Sequence, residues 1–194
     1  MAEYRFNATA LMETLDAWNE VLPGRGQVHL IACGGTALTL LGYKESTKDV
    51  DFLVPVEKEY KALTQFLKDA GYKPITGYGW KRPDENMIFD LYPGKTVYQT
   101  ELLTSPLEAG GNKNIREWNK IYLGTLNSVD LIISKMFRGG EVDVQDSLVL
   151  FKNEKVNLGK LEKRYRETAK YYFGEDKVLR NLEVLLARLK KRKS

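Results

Sequence analysis

Residues 31–54, which read IACGGTALTLLGYKESTKDVDFLV, join a glycine pair to two aspartates across a spacer of helix length. The apolar run 28–33 leading into them is typical of a buried strand. Gly34 and Gly35 end that strand where the backbone must turn tightly. A short helix is then predicted over residues 37–41, because ALTLL is rich in good helix formers.

The ends of this short helix also carry recognisable residues. Thr36 is predicted to cap its start, and Gly42 is predicted to stop it. A second strand follows at 49–54. The stretch therefore predicts strand, turn, helix and strand in that order.

Asp49 and Asp51 are predicted to point to one face of this second strand, because successive side chains alternate. Their spacing along an extended strand is about 7 Å. Two carboxylates so placed repel each other unless a positive charge lies between them. A divalent metal ion supplies that charge, so the pattern predicts a metal site.

A third carboxylate, Asp90, lies in the middle of a predicted strand at 87–92. Its neighbours Phe89 and Leu91 are apolar, and a charged residue at such a position needs a partner or an open site. Two interpretations stay open for Asp90: an ion pair with a nearby lysine, or a metal or catalytic role.

Gly34-Gly35-Thr36, a helix and then Asp49-Val50-Asp51-Phe52 together resemble the signature of the polymerase-β-type nucleotidyltransferase superfamily, in which a Gly-Gly or Gly-Ser turn precedes an Asp-x-Asp strand. The sequence of residues 34–54 resembles those of the AbiEii- and MenT-like families of toxin–antitoxin and phage-defence systems. The resemblance implies an α/β (α+β) fold, with a nucleotidyltransferase-like mixed sheet, packed helices and a helical C-terminal part. It also implies transfer of a nucleoside monophosphate from a nucleoside triphosphate (NTP) to an acceptor, with Mg²⁺ or Mn²⁺ as cofactor.

The same resemblance assigns roles to particular side chains. Asp49, Asp51 and Asp90 become metal ligands and catalytic residues, because oxygen ligands suit a magnesium ion that holds phosphates. A helical lysine and a later aspartate also belong to the site in the resembling toxin families, and Lys135 and Asp146 fit those positions. Asp146 has a second interpretation as an acid that stabilises a helix start.

Contacts to the triphosphate are expected from five residues around the glycine turn. Glycine lets the backbone approach a phosphate closely, and donors at a helix start bind its oxygens. Ser46 and Thr47 have a second interpretation as residues that satisfy the loop itself. The expected set is Gly34, Gly35, Thr36, Ser46 and Thr47.

Helices alternate with strands through the first part of the chain, which favours an α/β or α+β layer architecture. We predict a nucleotidyltransferase-like core over 1–125 and a helical region over 126–194 packed on it. Apolar spacing and breaker residues predict the other elements. Helices are predicted at 8–21 with Asn7 as cap, at 57–70, up to 137 after a cap at Asn127 or Ser128, and after a cap at Asp143. A loop or edge strand is predicted at 72–87, a loop at 94–111 and a strand at 120–123.

The composition indicates which cofactors, cross-links and cellular compartment to expect. The 194 residues include one cysteine, Cys33, and one histidine, His29, which argues against a zinc site and a disulfide. With no signal-peptide pattern, the chain is expected to be cytoplasmic, and no apolar run is long enough to span a membrane.

The net charge is +4, and basic residues are concentrated in two segments. These are 160–166 and a tail at 190–194 that is predicted to be disordered. This asymmetry permits an RNA acceptor, for example tRNA, and it is equally compatible with solvated basic side chains that bind no partner. A protein acceptor and an antitoxin partner are also compatible with it.

A competing interpretation is that the chain has the nucleotidyltransferase fold but no catalytic activity. The chain would then be a non-catalytic binding module for a protein or an RNA, with its carboxylates in structural ion pairs. Three acids at these strand positions favour the enzyme.

Overall fold

A computed structural model describes residues 5–191, which form seven α-helices and nine β-strands. The helices are α1 (Ala8–Val21), α2 (Gly34–Leu40), α3 (Glu57–Asp69), α4 (Ser128–Arg138), α5 (Glu141–Asn153), α6 (Leu158–Ala169) and α7 (Glu175–Lys191). The strands are β1 (Val28–Ala32), β2 (Val50–Val54), β3 (Lys73–Pro74), β4 (Gly79–Lys81), β5 (Ile88–Pro93), β6 (Thr96–Val97), β7 (Thr100–Glu101), β8 (Asn112–Glu117) and β9 (Ile121–Leu126).

The chain forms two compact units. Within the described residues, the first unit contains 5–95 and Ser105–Leu126, and the second contains Thr96–Thr104 and 127–191. The first unit holds the large sheet with α1, α2 and α3, and the second holds α4 to α7 with the β6–β7 hairpin.

The sheet of the first unit is mixed, with strand order β3-β4-β5-β2-β1-β9-β8. β1 runs antiparallel to β2 and parallel to β9, while β2 runs parallel to β5. The predicted strands at 28–33, 49–54 and 87–92 are thus three neighbours at the centre of one sheet. This arrangement confirms the predicted mixed sheet with packed helices.

One face of the sheet is covered by α1 and α3 through aromatic side chains. Trp18 of α1 lies 4.6 Å from Phe89 of β5 and 5.9 Å from Phe66 of α3, measured between ring centroids. Phe89 precedes Asp90, so these helices cover the face opposite the Asp90 side chain. Burial of the aromatic cluster thereby fixes which side of the sheet carries the carboxylates.

The second unit is held by a buried aromatic residue and an ion pair. Tyr165 donates a 2.8 Å hydrogen bond to the carbonyl oxygen of Val178, and burial raises its pKa. Arg164 Nε donates to Asp130 Oδ1 at 2.6 Å, and Arg164 Nη2 donates to Thr104 Oγ1 at 2.8 Å. Segment 96–104 is therefore tied to α4 and α6 of its own unit.

Two predicted helix starts are confirmed and two are wrong. Asn7 and Asn127 cap α1 and α4 by accepting from the backbone N–H groups three residues later. Helix α2 begins at Gly34 with Cys33 as its N-cap, so Thr36 lies inside the first turn. Helix α5 begins after Gly140, and Asp143 is its third residue, which accepts from the Gly140 N–H at 3.3 Å.

The predicted loops contain short strands. Residues 72–87 form β3 and β4, and residues 94–111 contain the β6–β7 hairpin, which pairs only with itself. Strand β8, which has no apolar periodicity, pairs with β9 at the sheet edge. Lys190 and Lys191 of the predicted disordered tail belong to α7, and residues 192–194 lie outside the described part. None of the helices within 5–191 has both the length and the apolar composition that a membrane crossing requires.

Thr125→Val is expected to stabilise the first unit. Thr125 is 1% exposed, and its hydroxyl has no hydrogen-bond partner within the described residues. A buried polar group without a partner costs about 1–3 kcal/mol, and valine has nearly the same shape. Urea titration should show a higher unfolding midpoint for Thr125→Val, while Thr125→Ala, which leaves a cavity, should show no gain.

Candidate active site

Asp51 and Asp90 stand side by side in the sheet. They are register partners in the parallel pairing of β2 with β5. Partners in adjacent parallel strands point to the same face, with backbones about 4.8 Å apart. The two carboxylates therefore share the face opposite α1 and α3, where Asp51 is buried and Asp90 is partly exposed.

Asp49 lies in the bend before β2, because the strand begins at Val50 and not at Asp49 as predicted. The backbone from Asp49 to Asp51 is held by two threonine hydroxyls. Thr36 Oγ1 donates to the Asp49 carbonyl oxygen at 3.2 Å and accepts from the Asp51 N–H at 2.9 Å. Thr47 Oγ1 donates to the same carbonyl at 3.0 Å. The hydroxyl of Thr36 thus joins α2 to the Asp-x-Asp segment.

Gly34 makes room for the carboxylate of Asp51. Its φ of +56° lies in the left-handed region that favours glycine, and a Cβ placed there would collide with Asp51 Oδ2. The next residue, Gly35, has a similar role, since a Cβ there would lie 2.6 Å from Thr47 Oγ1. The glycine pair is therefore required first by the close approach of α2 to the loop and strand that carry the acids.

The carboxylate of Asp90 is half-buried and lies near another negative charge. Burial raises the pKa of Asp90, and the neighbouring charge of Asp49 raises this pKa further. Within residues 5–191, neither the Asp49 nor the Asp90 side chain makes a hydrogen bond or an ion pair. The lysine partner considered for Asp90 is thus absent from the described structure.

Gly79 of β4 is the strand partner of Asp90 on its other side. A Cβ at Gly79 would lie 3.2 Å from Asp90 Oδ1 and 2.6 Å from Cγ1 of Ile75. The sequence indicates a turn here through the glycines that flank Tyr78 in GYGW, but it does not predict that Ile75 and Gly79 lie beside Asp90. The apolar side chain of Ile75 lies beside Gly79 and contributes to the burial of Asp90.

Ser46 is engaged with the start of the chain. Arg5 Nε donates to Ser46 Oγ at 2.9 Å, and Arg5 Nη2 donates to the Ser46 carbonyl oxygen at 3.1 Å. Next to it, the backbone of Thr47 exchanges two 2.8 Å hydrogen bonds with Phe6. The loop before Asp49 is therefore anchored along residues 46 and 47.

Lys135 and Asp146 belong to the second unit, where they bind each other. Lys135 is 2% exposed, and its Nζ lies 2.7 Å from Asp146 Oδ2 and 4.0 Å from Asp143 Oδ1. Arg138 donates to Asp143 at 2.5 Å. Asp146 is therefore a buried member of a charge network in the second turn of α5, and it is not a residue of the helix start.

Part of the basic segment 160–166 is neutralised by acids of the second unit. Arg164 is paired with Asp130, and Arg166 is paired with Glu162 and Glu183. Lys160 and Lys163 are exposed on α6. Fewer basic side chains of this segment are therefore available to form a positive surface than the sequence alone suggests.

The three acids have the chemistry that a divalent ion requires, since Mg²⁺ and Mn²⁺ bind carboxylate oxygens. Asp51 and Asp90 share a face, and the negative charge of Asp49 acts on Asp90. No group of three His, Cys, Asp or Glu side chains within residues 5–191 is placed to hold a metal ion together. The donor types therefore fit a divalent ion, although the described side chains do not converge as a group of three.

Gly34→Ala is expected to destabilise the first unit by about 2–4 kcal/mol. A methyl group there meets the Asp51 carboxylate, and alanine disfavours the positive φ. Gly42→Ala is the matched control, because Gly42 has a φ of +77° and open space around it. The control should lose only about 1 kcal/mol in urea unfolding. Equal losses for both variants would contradict the role given to Gly34.

The chain was compared with known proteins. No family model matches it, and no curated protein sequence matches it. Among solved structures, the crystal structure of ANT(2″)-Ia in complex with adenylyl-2″-tobramycin is similar, with a TM-score of 0.44, 17% sequence identity, and coverage of 96% of this chain and 98% of that chain. Similarity at this level assigns the chain to no family.

Proposed function

We propose that the protein is a nucleotidyltransferase that moves a nucleoside monophosphate from an NTP to a hydroxyl-bearing acceptor. The observation that supports this proposal is the register of Asp51 with Asp90 on one face of the sheet, with Asp49 in the bend before β2. The charge of Asp49 disfavours the ionised form of Asp90, and a divalent cation relieves such repulsion. The motif of Gly34-Gly35 followed by Asp-x-Asp agrees with this chemistry through its resemblance to polymerase-β-type nucleotidyltransferases.

In the proposed reaction, the acceptor oxygen forms a bond to the α-phosphorus of the NTP. The bond from that phosphorus to the bridging oxygen of the β-phosphate breaks, and pyrophosphate leaves. Asp90 takes the proton of the acceptor hydroxyl, a role that suits a carboxylate with a raised pKa. Asp49, Asp51 and Asp90 would hold the Mg²⁺ or Mn²⁺, which supplies charge stabilisation for the phosphate oxygens when bound.

The triphosphate would lie over the glycine turn. Gly34, Gly35 and Thr36 offer backbone N–H groups in the first turn of α2, which have no acceptor within the helix. The hydroxyls of Thr36 and Thr47 already donate to the Asp49 carbonyl, so their side chains would act by positioning that residue. Ser46, bound to Arg5, completes the predicted set.

Lys135 and Asp146 enter the proposal through the resemblance to the AbiEii- and MenT-like families. In those families a helical lysine balances negative charge on a transferring phosphate, and Lys135, with Asp146 at 2.7 Å, is our candidate for that lysine. The same resemblance suggests a toxin with an antitoxin partner, and an RNA such as tRNA, or a protein, as acceptor.

The test is transfer of label from NTP to cellular acceptors. The protein is incubated with each α-³²P-labelled NTP, Mg²⁺ or Mn²⁺, and total RNA or total protein in separate reactions. Metal-dependent label on either fraction is the expected result. No transfer from any NTP to either fraction would contradict the proposal.

A non-catalytic binding module is the second candidate. It is favoured by the absence of a three-residue metal cluster among residues 5–191. Calorimetric titration with Mn²⁺ separates the candidates, because only the enzyme requires ion binding that Asp51→Asn and Asp90→Asn abolish. RNA or protein binding without Mn²⁺ binding would support the module.

A further inference from the structure

Two exposed apolar side chains, Ile75 and Tyr78, lie in the turn between β3 and β4. They are 41% and 43% exposed. The turn is fixed by hydrogen bonds, since the Ile75 N–H donates to the Gly79 carbonyl at 2.8 Å and the Leu91 N–H donates to the Tyr78 carbonyl at 3.0 Å. Segment 75–79 thus exposes two apolar side chains to solvent on a backbone that hydrogen bonds hold in place.

Ile75 lies on the carboxylate side of the sheet. Its side chain occupies the space that a Cβ on Gly79 would fill, at 2.6 Å from Cγ1, and the same position lies 3.2 Å from Asp90 Oδ1. Ile75 and the Asp90 carboxylate are therefore neighbours across Gly79. Absence of a side chain at residue 79 permits this contact.

Tyr78 extends the apolar surface along β5. Its ring centroid lies 5.1 Å from that of Tyr92, at an interplanar angle of 57°. Tyr92 is buried and follows Asp90 by two residues in β5, so it points to the side of the carboxylates about 7 Å further along the strand. Contact with Tyr92 restricts the exposed ring of Tyr78.

We propose that the surface formed by Ile75 and Tyr78 receives the nucleoside part of the NTP, with the Tyr78 ring stacked on the base. This inference rests on the proposed function. In a nucleotide one ribose separates the α-phosphate from the base, and Tyr92 follows Asp90 by two residues, about 7 Å along β5. An ordered ring in water offers its face to a base at low entropic cost, and every base has such a face. The sugar would contact Ile75.

The test measures binding by calorimetry, with Mg²⁺ and an α,β-methylene NTP analogue that cannot be cleaved. Loss of a stacked ring weakens binding by about 10-fold or more, so Tyr78→Ala should bind the analogue at least roughly 10-fold more weakly than wild type. Tyr78→Phe, which keeps the ring, should bind within about twofold of wild type. Tyr171→Ala is the matched control, since Tyr171 is 77% exposed in the second unit, and it should be unchanged.

Inorganic tripolyphosphate with Mg²⁺ is the second probe, because it contains the phosphates without the nucleoside. Tyr78→Ala should bind tripolyphosphate as wild type does. Unchanged analogue binding by Tyr78→Ala, or an equal loss with Tyr78→Phe or with tripolyphosphate, would overturn the inference and leave the proposed function standing. If wild-type protein binds neither probe, the proposed function and the inference fail together.

Discussion

Asp90→Asn and Asp49→Asn are each expected to lower nucleotide transfer by at least about 10³-fold while the protein stays folded. A bound divalent ion contributes several kcal/mol of charge stabilisation in phosphoryl chemistry, and each substitution removes one anionic ligand. Asp90→Asn also removes the proposed proton acceptor. Rates of label transfer from NTP at saturating Mg²⁺ provide the measurement.

Stability should move in the opposite direction to activity for Asp90→Asn. Because burial and the charge of Asp49 raise the pKa of Asp90, its ionised form is disfavoured in the folded state. The destabilisation is fully present above the folded-state pKa and disappears as the pH falls below the unfolded value of about 3.9. The variant should therefore gain on the order of 0.5 kcal/mol at pH 7, since the group is half exposed, and nothing in strong acid.

Asp84→Asn is the control for both measurements. Its carboxylate is 74% exposed in the first unit and lies 3.8 Å from Arg82. It should keep full activity and wild-type stability. Full activity in Asp90→Asn and Asp49→Asn, or their failure to fold, would show that the acids are structural.

Asp146→Ala is expected to lower the free energy of unfolding of the second unit by about 3–5 kcal/mol. The substitution leaves the ammonium of Lys135 buried, with Asp143 at 4.0 Å as its remaining carboxylate. A buried charge that loses its partner costs far more than the pair itself contributes. Urea unfolding followed by circular dichroism gives the value.

The double variant Lys135→Met/Asp146→Leu separates charge burial from packing. Both charges are removed and apolar volume is kept, so this variant should unfold at a higher urea concentration than Asp146→Ala. An exposed pair serves as the second control: Lys61 and Glu57 are 73% and 79% exposed, and Glu57→Ala should leave the midpoint unchanged. A smaller loss for Asp146→Ala than for the double variant would contradict a buried, mutually dependent pair.

The central strands and the order of elements could be predicted because local signals determine them. Apolar runs at 28–33 and 87–92 and the glycine pair belong to the chain itself, and they place Asp51 and Asp90 on neighbouring strands once the sheet forms. The cap at Asn7 is equally local, since its acceptor oxygen reaches an N–H three residues away.

Long-range contacts account for what the sequence could not predict. Thr36 looks like a helix cap, yet its hydroxyl serves residues 49 and 51 of a different element. Arg164 looks like part of a basic patch, yet its partners Thr104 and Asp130 are far along the chain. Ile75 lies near Asp90 only because the pairing of β4 with β5 places Gly79 between them. Such partners are set by the tertiary fold, which no local pattern encodes.

The hairpin of β6 and β7 belongs to the second unit although it interrupts the chain of the first. During synthesis it leaves the ribosome before Asp130 and Arg164, the residues that later fix Thr104, have been made. The second unit therefore completes its fold only when α6 has emerged, whereas the hairpin is made even before β8 and β9 of the first unit. A fragment ending at residue 126 would hold every strand of the large sheet and carry this hairpin without its helices. Isolating the first unit thus requires replacing residues 96–104 as well as removing the C-terminal helices.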